Sequence, residues 1–266
     1  MVVVNEQNGL WWHSMKKIGW RTIALFAIAF IITLMVTAPA TLLAGIVEAG
    51  SDGQFVLANA TGTVWQGSAT PAIRQRAGNL VALEKLHWEI DLLPLFTGKI
   101  ITRLRWDNVE QALPMVATIS PGQIELRNAV LPLQAVILGE LSPILQPVQL
   151  SGKMQIKSDQ FTFSKAGING SAVADWINAG SVLSSVNPLG SYRMNLAGAG
   201  ERLDVTLLTT SGVLLLEGKG NFTRDQGLNF QATARAAADS KGSLDELLNN
   251  FGPESAPGVH AINLMR

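Results

Sequence analysis

Leu86-His-Trp-Glu-Ile-Asp-Leu92 sets Leu86, Trp88, Ile90 and Leu92 on one side of an extended chain and His87, Glu89 and Asp91 on the other. Side chains alternate along a strand with a period of two, so this stretch predicts a strand buried on one face. Residues 99–106 repeat the pattern, with Ile100, Thr102, Leu104 and Trp106 facing one way and Ile101, Arg103 and Arg105 the other. Joined through Pro94 and Gly98, the two stretches form a hairpin-like pair with their tryptophans on the core side. Working outward, residues 123–130 and 150–157 alternate comparably, and 192–197, 202–208, 213–218 and 228–234 are short apolar-rich runs punctuated by glycines and polar turns. Such spacing predicts an antiparallel meander.

Helix signals are fewer. Residues 133–141 lie between Pro132 and Pro143, and 175–186 contain Gly180 and end before Pro188. The clearest is 243–251, with Ser243 as cap, Asp245 and Glu246 in the first turn and Gly252-Pro253 as the stop. No long linker divides the strand-rich region.

Upstream the pattern changes. No charged residue occurs over 22–47, and Ile23-Ala-Leu-Phe-Ala-Ile-Ala-Phe-Ile-Ile-Thr-Leu-Met-Val-Thr37 is close to uniformly apolar. A helix of about 20 such residues crosses a bilayer. Lys16, Lys17 and Arg21 precede it and Glu48 and Asp52 follow, a basic bias that keeps the N-terminus in the cytoplasm. The expected division is a cytoplasmic segment 1–21, a transmembrane anchor 22–47 and a β-rich domain 48–266 on the far side. The sequence Ala38-Pro39-Ala40 also fits a cleaved signal peptide. The apolar run continues through Leu42, Leu43, Ile46 and Val47, beyond the usual core of about 7–15 residues, which favours a retained anchor. Met15-Lys16-Lys17 is as natural a start as Met1.

The chain has 266 residues, 20 basic and 20 acidic, without charge blocks, so nothing marks it for nucleic acid. Mean hydropathy is +0.24, raised partly by the apolar segment. Cysteine is absent, which removes disulfides, thiolate catalysis and Cys-ligated zinc. His13, His87 and His260 lie too far apart in sequence to form a local ligand pair. Ser51-Asp52 and Asp239-Ser240 lack a nucleophile elbow, and Gly198-Ala-Gly200 and Gly218-Lys-Gly220 complete no phosphate-binding loop. No catalytic group, metal or cofactor is expected. Of the tryptophans, Trp65, Trp88, Trp106 and Trp176 read first as core packing, the alternative being an apolar groove or partner surface.

Gly62-Thr-Val-Trp-Gln-Gly-Ser-Ala69, following soon after the apolar segment, resembles a signature of type II secretion system protein N, the N component of the general secretion pathway. Leu86-His-Trp88, Ile168-Asn-Gly170, Ala174-Asp-Trp176, Leu189-Gly-Ser-Tyr192, Gly212-Val-Leu-Leu-Leu-Glu-Gly218, the stretch 244–252 and Pro257-Gly258 continue the resemblance in order. The resemblance together with the tryptophan set singles out Gly62, Trp65, Gly67, Trp88, Trp106, Trp176, Gly190 and Tyr192 as family-motif or partner-surface residues. What it implies is a mainly β, single-pass inner-membrane protein with a periplasmic antiparallel sheet body and a few short helices. Its partners would be other secretion subunits, in the export of folded proteins across the outer membrane, without catalysis. The last third is also similar to AsmA-like periplasmic proteins, which implies an alternative: lipid sheltered or transferred along a sheet groove.

Overall fold

The computed structural model describes residues 20–75, 78–141, 148–240 and 242–265. They fall into two compact units that divide between Ala38 and Pro39.

The first unit holds helix α1 (Trp20–Val36), 17 residues with no charge after Arg21 and no buried side chain. Thr33 and Thr37 donate their hydroxyls to the carbonyls of Ala29 and Thr33 at 2.8 and 2.7 Å, which hides two polar groups against the helix backbone. Among the described residues no helix is long and apolar enough to cross a membrane. The single helix expected over 22–47 is divided: a second helix, α2 (Ala40–Gly50), begins after a break at Thr37-Ala38-Pro39. Pro39 has no N–H and disfavours helical backbone at Ala38, and it is itself extended (φ −71°, ψ 150°). Helix α2 belongs to the sheet body, where Ala40 is 1% exposed.

The second unit is built on one antiparallel sheet of 15 strands. They are β1 (Phe55–Gly62), β2 (Gln66–Arg74), β3 (Leu80–Ala82), β4 (Leu86–Asp91), β5 (Ile100–Trp106), β6 (Met115–Ser120), β7 (Gln123–Gln134), β8 (Leu150–Ser164), β9 (Gly167–Ser181), β10 (Gly190–Gly200), β11 (Arg202–Gly212), β12 (Leu214–Thr223), β13 (Gly227–Ala236), β14 (Glu254–Ala256) and β15 (Val259–Met265). Neighbours in the chain are neighbours in the sheet, except that β3 pairs on β2 away from the main path and β15 inserts between β13 and β14. The predicted hairpin is present: β4 and β5 pair with Trp88 opposite Leu104 and Ile90 opposite Thr102, joined by a 3-10 turn at Leu93–Thr97.

The register sorts residues into two unlike faces. Ile90, Thr102, Ala117, Leu126, Phe161, Gly170, Gly198, Leu203, Phe222 and Leu228 are successive cross-strand partners from β4 to β13, and only Thr102 among them is polar. On the opposite face Lys157, Val173, Asn195, Thr206, Lys219, Gln231 and Asn263 form the corresponding row. One face is thus apolar along this row from β4 to β13, and a slip of one residue in any strand would reverse its contribution.

Two helices cover that apolar face at its extremes. Helix α2 buries Ala40 and Leu43 against Leu57, Ala69, Trp88, Ile90 and Leu104. At the other extreme α4 (Asp245–Phe251), preceded in the chain by the short α3 (Leu138–Leu141), inserts Leu247 and Leu248, with Leu244 beside them, among Leu189, Leu214 and Ala234.

Three helix expectations change. Residues 133–141 give only a 3-10 turn (Ala135–Ile137) and the four-residue α3, because Leu133 and Gln134 still pair with Met154 and Lys153 in the sheet. Residues 175–186 are not helical: Asp175 to Ser181 finish β9, held between β8 and β10. Helix α4 forms as expected with Asp245 and Glu246 in its first turn, but Ser243 does not cap it; its hydroxyl donates to the Ser240 carbonyl at 2.8 Å.

Candidate functional site

The residues singled out by sequence gather into two packed clusters rather than one cleft. In the first, β1 turns into β2 through Gly62-Thr-Val-Trp-Gln-Gly67. Gly62 holds φ +90°, a left-handed backbone that suits glycine. The Thr63 N–H donates to the Gln66 carbonyl (2.8 Å) and the Gln66 N–H to the Thr63 hydroxyl (3.1 Å), closing the turn. Trp65 is half-buried, and its carbonyl accepts the Ile90 N–H at 2.7 Å.

Gly67 lies opposite Trp88, and a Cβ there would meet the Trp88 ring at 2.6 Å and the Thr61 carbonyl at 2.6 Å. The missing side chain is therefore the space the indole fills. Trp88 is 5% exposed and donates its Nε1–H to the Val64 carbonyl at 3.0 Å. Two separated sequence motifs, 62–69 and 86–88, thus make one joint under α2. Trp106 is also buried, and its Nε1–H finds no partner among the described residues.

The second cluster joins β9, β10 and β12. The Trp176 ring meets the Tyr192 ring at 5.6 Å, and its Nε1–H donates to the Ser151 carbonyl at 2.9 Å. Tyr192 is 3% exposed, and its hydroxyl donates to the Leu214 carbonyl at 3.0 Å. Gly190 is buried in the same strand. Burial raises the Tyr192 pKa well above the ordinary phenol value of 10.0. Leu214, which sequence reading did not single out, links this cluster to α4. Its signal was present in the apolar run Val213-Leu-Leu-Leu216.

Tyr192 is the chain's sole tyrosine, so it reports on this joint directly. A raised folded-state pKa means the bound proton stabilises the fold; that contribution is complete below pH 10.0 and is lost as pH climbs toward the folded pKa. In an alkaline titration followed by tyrosinate absorbance, the native chain is expected to resist ionisation in the ordinary phenol range. Tyr192→Phe, which leaves the buried Leu214 carbonyl unpaired, is expected to cost about 1–3 kcal/mol in urea unfolding. An unchanged midpoint together with ordinary ionisation would contradict the assignment.

The remaining polar groups do not converge. His87 Nε2 contacts Asp107 Oδ1 at 2.9 Å with both side chains nearly half exposed, and His260 Nδ1 lies 3.0 Å from the Gly252 carbonyl; His13 lies outside the described residues. Arg103 pairs with Asp91 (2.9 Å) and Glu89 (3.5 Å), and Arg193 with Asp175 (2.7 Å), all on the polar face. The hydrogen bond that Arg193 donates to the Asp175 carboxylate raises the Arg193 pKa further. Among the described residues no three His, Asp or Glu are grouped to hold a metal ion. Ser51 accepts the Phe55 N–H at 3.0 Å as a turn residue, and Gly198 and Gly218 lie within strands, opposite Leu203 and Ala232. Depressions on the polar face are shallow and lined by side chains such as Asp204, Lys219 and Gln231. The geometry supplies two packed joints and a hydrophilic face.

A search of curated proteins and a search of solved structures each return no significant match. The family model for the type II secretion system (T2SS), protein N, matches residues 54–263, the span that carries nearly all of the sheet and both clusters, and the chain belongs to that family.

Proposed function

We propose that this chain is a non-catalytic inner-membrane component of the type II secretion machinery. In this reading the apolar segment around α1 holds it in the bilayer with the N-terminus in the cytoplasm, and the sheet body stands in the periplasm. Membership of the secretion family supports the machinery, and the basic residues before the apolar segment support the orientation. Helix α1, at about 1.5 Å per residue, reaches about 26 Å, near the short limit for a span, and it begins at the first described residue.

The observation that carries the role of the body is its two-faced sheet. At Phe161, Val205 and Phe230, each 7% exposed, the apolar face is filled by its own side chains, while the polar row through Lys219 and Gln231 stays open. A polar, continuous face recruits partner proteins by hydrogen bonds and charge, and the outer strands β1 and β14 offer edges to which a partner strand can add. The comparisons lend no support to the lipid-sheltering alternative.

Photocrosslinking from position 231 in secreting cells tests this. Adducts with other secretion subunits are expected from Gln231 and not from the buried neighbour Ala232. Equal adducts from both positions, or none from any polar-face position, would overturn the recruiting role.

A further inference from the structure

The apolar face has one edge that no helix covers. Ile100, Ile119, Ile124 and Phe163 are successive cross-strand partners on β5 to β8, and they are 38%, 41%, 43% and 41% exposed. Just outside this row the turn between β4 and β5 presents Leu93 at 82% and Phe96 at 89% exposure. Large side chains this bare, aligned along one edge, are the kind of contiguous apolar patch that marks an interaction site.

Its position in the chain indicates what covers it. The connections β1–β2, β4–β5, β6–β7 and β8–β9 all lie at the same end of the antiparallel sheet. Pro39, the first residue of the sheet body, bridges to Thr63 in the β1–β2 turn, so the polypeptide enters the body at that end. The residues it has just left are the uncharged, apolar α1. Basic groups accompany the row: Lys99 and Lys165 are exposed in the flanking turns, and Arg224 donates to the Ser164 and Lys165 carbonyls at 2.6 and 3.0 Å. The acidic Glu201 and Asp225 sit in the β10–β11 and β12–β13 connections, at this same end of the sheet but on strands beyond the row, where the Arg224 turn meets Lys165. Apolar side chains beside cations suit the boundary between acyl chains and anionic headgroups.

We propose that this edge, Leu93, Phe96, Ile100, Ile119, Ile124 and Phe163, rests in the interfacial layer of a lipid bilayer, with Lys99 and Lys165 at the headgroups. The inference builds on the anchor reading above and adds a second membrane contact, made by the sheet body itself.

The full chain, which has no native cysteine, is reconstituted into vesicles of phosphatidylcholine and phosphatidylglycerol that carry a nitroxide quencher high on the acyl chain. Single variants Phe96→Cys, Ile124→Cys, Gln231→Cys and Leu34→Cys receive an environment-sensitive fluorophore; all four sites are exposed, so the fold tolerates the label. The expected result is loss of most emission at positions 96, 124 and 34, with 231 unaffected. Quenching at 34 with none at 96 and 124 overturns the proposal and leaves the anchor standing. Quenching at 96 and 124 without 34 overturns the anchor and upholds the edge contact. Equal quenching at 231, or none anywhere, overturns the edge contact.

Discussion

Replacing Trp88 with alanine is expected to lower the stability of the sheet body by about 3–5 kcal/mol, the range for deleting a fully packed aromatic. The indole is 5% exposed, occupies the space left by Gly67, and touches the layer that holds Ala40 and Leu43 of α2 on the sheet. Its removal leaves a cavity bounded by backbone on the β2 side, where the chain cannot close in without breaking the Gly67–Trp88 pairing. It also strips the Val64 carbonyl of its indole donor. Urea unfolding followed by far-ultraviolet circular dichroism, in a mild detergent that keeps the full chain soluble, reads the loss. Trp20→Ala serves as control, because Trp20 is 76% exposed in α1 and its change should fall within about 0.5 kcal/mol. A Trp88→Ala midpoint as high as that of the control would remove the joint from the account.

Leu247→Ala is expected to cost about 2–5 kcal/mol and to free α4 from the sheet. Helix α4 has seven residues and no side-chain cap, too short to hold its own hydrogen bonds in water. What keeps it folded is burial: Leu247 is 1% exposed and Leu248 3%, packed with Leu189, Leu214 and Ala234. Losing one of these anchors exposes the edge formed by β15 and β14 together with the helix. The reading is limited proteolysis and hydrogen exchange across residues 238–258, which should become labile before β4 and β5 do. Asn249→Ala, on the exposed side of the helix, should change neither. Equal protection in both variants would mean that α4 is held by something other than its leucines.

How far the sequence alone reached depended on how each element buries its side chains. Strand β4 was legible because one face is buried and the other wet, so apolar and polar residues alternate without interruption. Strands β1 and β2 passed unnoticed: both are rich in Ala, Gly and Thr, and β1 breaks its own period at a bulge between Ala58 and Thr61, where Asn59 adopts φ 53°. The end of β9 imitated a helix because its apolar residues are irregularly spaced, and two neighbouring strands override that local pattern. The transfer of α2 to the sheet was not legible, since a helix that packs on an apolar face and a helix in lipid share a composition. The candidate tryptophans were legible as residues and illegible as partners. Nothing in Gly67 taken singly says that Trp88 fills its place, because that pairing depends on a register 21 residues apart in the chain. The bare edge at Leu93 and Phe96 carried a signal, an apolar cluster inside a turn, whose meaning depends on which end of the sheet the chain enters.

The central claim is a two-faced sheet held outside the cytoplasm, and labelling along β13 tests both halves together. Single cysteines at Phe230, Gln231, Ala232 and Thr233, introduced into a chain without any other thiol, are treated in cells whose outer membrane has been opened, using a maleimide that cannot cross the inner membrane. The account predicts prompt labelling at 231 and 233 and none at 230 and 232 until the chain is denatured. Equal reaction at all four positions, or no reaction at 231 before the inner membrane is breached, would contradict it.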